Sequence, residues 1–152
     1  MNNDVTLLLT EDDPGHLKLL INNLRRSGIQ NKIMTFTDGH EVLDFLLNNS
    51  NGPLRNASDN YLLMLDIKMP KVNGIEVLSK IKNNDELRLM PVIMLTTTDD
   101  PKEIEKCYSL GCNTYIVKPV DHNNFSTAIN NLGLFLKVIE VPGCSCIYSR
   151  EN

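Results

Sequence analysis

The sequence predicts an α/β protein, a doubly wound parallel sheet of five strands built from five consecutive βα units. Three observations carry that reading. Short, nearly continuous apolar runs recur five times, the pattern of strands buried on both faces. Each run is followed by apolar residues at helical spacing. The connections between them are mostly short, and strict alternation calls for crossovers that lay helices on both faces of the sheet.

The elements follow in order. Val5 to Leu9 is the first strand, and Leu17, Leu20, Ile21 and Leu24 give one helical face that stops near Ser27-Gly28. Ile33 to Phe36 is the second strand, followed by a helix through Val42, Leu43, Phe45, Leu46 and Leu47. Tyr61 to Leu65 is the third strand, with Ile75, Val77, Leu78 and Ile81 on its helix. Pro91 to Leu95 is the fourth strand, and a short helix from Ile104 to Leu110 ends at Gly111. Tyr115 to Val117 is the fifth strand, and Phe125, Ile129, Leu132 and Leu136 share one face of the last helix, which Pro142-Gly143 ends. The favoured strand order is 2-1-3-4-5, the flavodoxin-like arrangement, in which the first and third strands are neighbours.

Helix-start signals agree with this register. Asp13-Pro14 reads as an N-cap with proline in the first turn. Asp38-Gly39-His40-Glu41, Asn73-Gly74-Ile75-Glu76 and Asp100-Pro101-Lys102-Glu103 resemble capping boxes, so Asp13, Asp38 and Asp100 are better explained as caps than as catalytic acids. Asn48 to Asn60 reads as one long exposed loop.

Length and composition bound the rest. The 152 residues suit one domain, placed at 1–140, with a tail at 141–152 too short for a second. The net charge of -4, without a basic stripe, argues against direct nucleic-acid binding. No signal peptide is read at Met1-Asn2-Asn3-Asp4, and no apolar run approaches the roughly 20 residues of a membrane helix. A cytoplasmic protein is expected, with no membrane partner and with Cys107, Cys112, Cys144 and Cys146 as thiols. Cys144-Ser145-Cys146 has no nearby histidine and is a weak zinc signal. Asn56-Ala57-Ser58 matches a glycosylation acceptor only as a short pattern.

Chemistry concentrates just past the strand ends: Glu11 and Asp12 after the first, Asp66 after the third, Thr96 after the fourth, Lys118 after the fifth. Ligands of an open α/β sheet collect at the carboxyl ends of its strands. Acids gathered there want a hard cation such as Mg2+, and without one they repel each other and raise at least one pKa. A lysine beside them wants an anion. The bland alternatives are a turn-starting aspartate for Asp66, an extended cap for Glu11-Asp12 and a surface lysine for Lys118.

Leu8-Leu9-Thr10-Glu11-Asp12-Asp13, Met64-Leu65-Asp66-Ile67-Lys68-Met69-Pro70 with Asn73-Gly74, Met94-Leu95-Thr96 and Val117-Lys118-Pro119 together resemble the receiver domain of two-component response regulators, CheY-like, over about residues 4 to 138. The long loop before the third strand is similar to the stand-alone regulators paired with bacterial phytochromes. The resemblance implies that Asp66 accepts a phosphoryl group from a sensor histidine kinase, possible kinases including the phytochrome type. It implies that Mg2+ is held by Asp12, Asp66 and the Lys68 backbone carbonyl, with Glu11 acting through water. Lys118 would pair with the phosphoryl oxygens, and its bond to Pro119 would be cis. Thr96 and Tyr115 would form the switch. Lys68 and Thr98 would flank the attacking water and tune the lifetime; whether Lys68 stabilises phosphoryl charge or blocks water stays open.

The output would be a binding surface for a downstream protein, not an enzymatic turnover. Leu134 and Val138, an apolar i, i+4 pair, point to homodimerisation through the last helix, and Leu19 is placed off the core face of the first. Two other readings stand beside this one. A Mg-dependent phosphohydrolase with an aspartate nucleophile would want a second acid two residues after Asp66, where Lys68 stands. A receiver that signals by binding alone would not need the full acid, threonine and lysine set.

Overall fold

The computed structural model describes residues 1–49, 54–56, 58–139 and 141. Its elements are β1 (Val5–Thr10), α1 (Pro14–Arg26), β2 (Ile33–Phe36), α2 (Gly39–Leu46), β3 (Asn60–Leu65), α3 (Gly74–Lys82), β4 (Val92–Thr96), α4 (Pro101–Leu110), β5 (Thr114–Val117) and α5 (His122–Leu136). All strand pairs are parallel, and the order is β2-β1-β3-β4-β5, as expected.

Alternation along the central strands fills two cores. Tyr61, Leu63 and Leu65 of β3 face α2, α3 and α4, where they meet Leu46, Leu78 and Ile81. Leu62 and Met64 face α1 and α5, where Leu24, Phe125, Ile129, Leu132 and Leu136 close the other side. Each such side chain contributes about 1.5–3 kcal/mol by leaving water.

The helices start where the sequence says. Asp13 accepts from the Gly15 and His16 amides, Asp38 from Glu41, Asn73 from Glu76 and Asp100 from Lys102. A cap of this kind is worth about 1 kcal/mol. Asp121, not singled out in the sequence, caps α5 through the Asn123 amide.

Three expectations need correction. The last helix ends at Leu136 rather than at Pro142-Gly143, which lie outside the described residues along with the rest of 142–152. Leu136 is fully buried and Val138 is 76% exposed, while Ile139 and Val141, past the helix end, still pack partly buried against the α1–α5 cluster. Leu19 is not off the core: it is partly buried against the α1–α5 cluster. The loop before β3 is not simply exposed. Arg55 is buried, with its guanidinium donating to the Leu46 carbonyl and pairing with Glu86 at 2.9 Å, because a buried guanidinium needs both charge and acceptors.

Register aims the site. Thr10 pairs with Leu65, so the residues that follow leave the sheet side by side. The Asp66 amide donates to Thr10 O at 3.3 Å, and the Lys118 amide to Thr96 O at 2.7 Å. Behind Asp66 there is no space. A Cβ on Gly74 would lie 2.1 Å from the Asp66 carbonyl oxygen. Gly74→Ala must therefore push backbone against backbone, and should cost roughly 1–3 kcal/mol in urea unfolding. A loss below about 0.5 kcal/mol, the range of an ordinary surface change, would contradict that packing.

Candidate functional site

Glu11, Asp66 and Lys118 are buried at the carboxyl edge of the sheet, and Asp12 beside them is exposed. Glu11, Asp12 and Asp66 each bring a carboxylate oxygen within 4.8 Å of the others. The Lys118 ammonium pairs with Glu11 Oε2 and, at 3.3 Å, with Asp66 Oδ2. Burial pushes the Glu11 carboxyl above its ordinary pKa, while the hydrogen bond and charge of Lys118 pull the other way. Repulsion from Asp66 adds to the rise but is the smaller cause, so desolvation rather than crowding of acids dominates.

Backbone amides finish the carboxylates. Lys68 N donates to Asp66 Oδ1 at 3.3 Å and Asp13 N to Glu11 Oε1 at 3.2 Å. An all-oxygen cluster carrying three acids against one ammonium is a donor set that fits a hard divalent cation such as Mg2+.

Thr96, fully buried, ends β4, and its Oγ1 accepts from Thr98 N at 3.4 Å. Tyr115 does not reach the acid cluster by a hydrogen bond; its hydroxyl donates to Thr98 O at 2.6 Å and its amide to Tyr108 Oη at 3.1 Å. Thr10 Oγ1 and Thr98 Oγ1 are buried without a hydrogen-bond partner.

A family model described as the response regulator receiver domain matches residues 7–130. The chain belongs to that family. A response regulator receiver domain from Rhodospirillum rubrum superposes with a TM-score of 0.85 at 44% identity, covering 91% of this chain and 97% of that one. The phosphorylated cyanobacterial phytochrome response regulator RcpA gives a TM-score of 0.81 at 30% identity, over 90% of this chain and 97% of its own. Response regulator Rcp1 of Synechocystis is 29% identical over 137 residues, 90% of this chain and 92% of Rcp1. The Mn2+-bound form of Rcp1 superposes with a TM-score of 0.81 at 27% identity, covering 90% of this chain and 98% of that one.

In this receiver Glu11, Asp12, Asp66 and Lys118 meet, Thr96 and Thr98 lie at the adjoining β4 end, and Lys68 follows Asp66 with its side chain exposed. One expectation fails. The Lys118–Pro119 bond is trans, like every peptide bond among the described residues, in keeping with the trans preference of about 0.5–1 kcal/mol that X-Pro bonds retain. Sequence reading also missed Tyr108 as a partner of the Tyr115 backbone; a tyrosine two positions into the last turn of a helix carries no signal of its own.

Cys107 and Cys112 are free and buried, and burial lifts the Cys107 thiol to about 11, which suits packing rather than reactivity. Cys144 and Cys146 lie outside the described residues. Among the described residues no helix is long and apolar enough to cross a membrane.

Burial, with Cys107 and the acids Glu103, Asp66 and Asp99 nearby, raises the Tyr115 phenol from 10.0 to about 12. The folded chain keeps that proton after the unfolded chain has released it. Stability is then untouched by Tyr115 below about pH 10 and falls as pH rises from 10 towards 12. Tyr115→Phe should lose stability less steeply than wild type across that window in urea unfolding at stepped pH; parallel curves would refute the assignment.

Proposed function

We propose that this receiver is a phosphorylation-operated switch. Asp66 accepts a phosphoryl group from a phosphohistidine of a sensor histidine kinase with Mg2+ at the acid cluster, and the modified state presents a changed surface to a downstream protein. The observation that carries the reading is the buried Lys118 ammonium 3.3 Å from Asp66, inside a cluster of three carboxylates. RcpA as a phosphorylated phytochrome regulator and Rcp1 as a Mn2+ binder support a phytochrome-type kinase and a divalent cation. The cytoplasm, where such a kinase presents its phosphohistidine, is the setting of this reading, and nucleic acid and membrane have no direct part in it.

Asp12, Asp66 and the Lys68 carbonyl would hold Mg2+, with Glu11 acting through water. Bound there, it supplies positive charge against the phosphoryl oxygens. An Asp66 oxygen attacks phosphorus as the P–N bond of the phosphohistidine breaks; the bonding pair leaves with the imidazole, which takes up a proton. Lys118 meets the charge on the transferring group from the other side, so catalysis is mainly electrostatic. The Thr96 hydroxyl donates to a phosphoryl oxygen, and the bond from Tyr115 to Thr98 carries the shift to α4 and β5. Lys68 and Thr98 line the route of the water that resets the switch. With lysine at position 68, no carboxylate base assists that water there. The same absence removes the second acid a phosphohydrolase would use.

Acetyl phosphate with magnesium should add one phosphoryl to wild type and none to Asp66→Asn, read by intact mass. An equal adduct on both variants would place the acceptor elsewhere. No adduct on either, together with no binding of beryllofluoride, would favour signalling by binding alone.

We extend the reading to homodimerisation through the end of α5. Leu134 and Val138 are 58% and 76% exposed, Val138 just past the helix end, and Phe135 beside them is half-exposed. Leu134→Glu/Val138→Glu should run as a monomer in sedimentation with phosphorylation at Asp66 intact; an unchanged oligomer would sink the dimer.

A further inference from the structure

The loop between β3 and α3 has an unusual shape. Lys71 has φ +66°, the left-handed region, which costs a residue bearing a Cβ about 1–2 kcal/mol. Val72 N donates to Pro70 O at 2.8 Å, closing a three-residue turn around Lys71. That combination is the rare, strained form of the γ-turn. Strain of this kind persists only where the surroundings enforce it.

Two contacts from the β2–α2 junction enforce it. Lys71 Nζ pairs with Asp38 Oδ2 at 3.5 Å, with the Asp38 side chain only 10% exposed. Asp38 is already fixed, because its Oδ1 caps α2 by accepting from the Glu41 amide at 2.8 Å. Beside it a Cβ on Gly39 would lie 2.0 Å from the Val72 carbonyl oxygen, so the turn rests directly on the first residue of α2. At the inner end, Gly74 N donates to Ile67 O at 2.8 Å. The loop is thus pinned at both ends, and Lys68 lies between the pins.

We propose that Lys71 is a positioning residue for the cation site: its strained turn, latched to Asp38, sets the loop that presents the Lys68 backbone to the acid cluster. This rests on the metal reading given above.

The test is Mg2+ affinity by titration calorimetry on the full chain. Lys71→Met should weaken binding about three-fold, the scale of a largely exposed ion pair. The direction is diagnostic, since removing a positive charge near an acid cluster would by itself strengthen cation binding. Lys71→Arg should restore wild-type affinity. In an Asp38→Asn background, which keeps a capping oxygen, Lys71→Met should have no further effect. Affinity in Lys71→Met equal to or above wild type overturns the latch, as does a loss that persists undiminished in Asp38→Asn. Asp66→Asn separates the two readings. Unchanged affinity there overturns the metal reading and the latch with it. Lost affinity there, with Lys71→Met at wild type, overturns the latch alone.

Discussion

Lys118, Glu11 and Asp66 place one ammonium and two carboxylates out of water, and they can do so only together. A buried charge without a partner costs several kcal/mol, and breaking a buried pair strands the partner that remains. The residues stand 107 and 52 positions apart in the chain. Only the parallel order that sets β1 beside β3, and β5 two strands over, brings them to one edge. Fold and site therefore depend on each other: the sheet supplies the convergence, and the ion group limits which sheets are acceptable.

The sheet interior carries the stability, and the chemistry lies at the carboxyl edge of its strands. The sheet interior is apolar on both faces, and the helix starts are capped by side chains. At the opposite edge Asn31 Nδ2 donates to the Asn2 and Val5 carbonyls, tying down the start of β1. Several irregular features lie at the carboxyl edge, namely left-handed Lys71, the partnerless hydroxyls of Thr10 and Thr98, and an exposed acid beside buried ones, while left-handed Asn48 and the unpaired Asn23 Oδ1 lie elsewhere. Strain and unsatisfied groups cost stability, and those at the carboxyl edge sit on a core that can bear them.

Thr96, Thr98 and Tyr115 connect that edge to one flank of the molecule through two hydrogen bonds, at 3.4 and 2.6 Å. The flank is lightly held. Cys107 is the one fully buried residue that α4 contributes, whereas α2 and α3 each bury several. Elements that move in a switch are drawn from the least buried parts of a fold. Within α4, the Tyr108 hydroxyl accepts from the Tyr115 amide and so ties this lightly buried helix to β5.

Much was legible in the sequence because it rests on local rules. Period-two and helical apolar spacing, together with Asp and Asn before each helix, located all five strands to within a residue or two and all five helices in order, and acids at strand ends marked the site. Strict βα alternation left few topologies, and the flavodoxin-like order favoured among them is the one observed. What the tertiary structure decided depends on neighbours distant in the chain. Lys118 bonds to Glu11 as well as Asp66 because strand order, not sequence spacing, sets that distance. Arg55 is buried in a stretch whose composition reads as loop, because Glu86 and the Leu46 carbonyl wait for it. The last helix stops at Leu136, ahead of the proline and glycine that the sequence offers as its end, and the chain beyond it still packs Ile139 and Val141 against the core. Lys71 reads as an ordinary surface lysine until Asp38 and Val72 hold it in a conformation that no propensity would assign it.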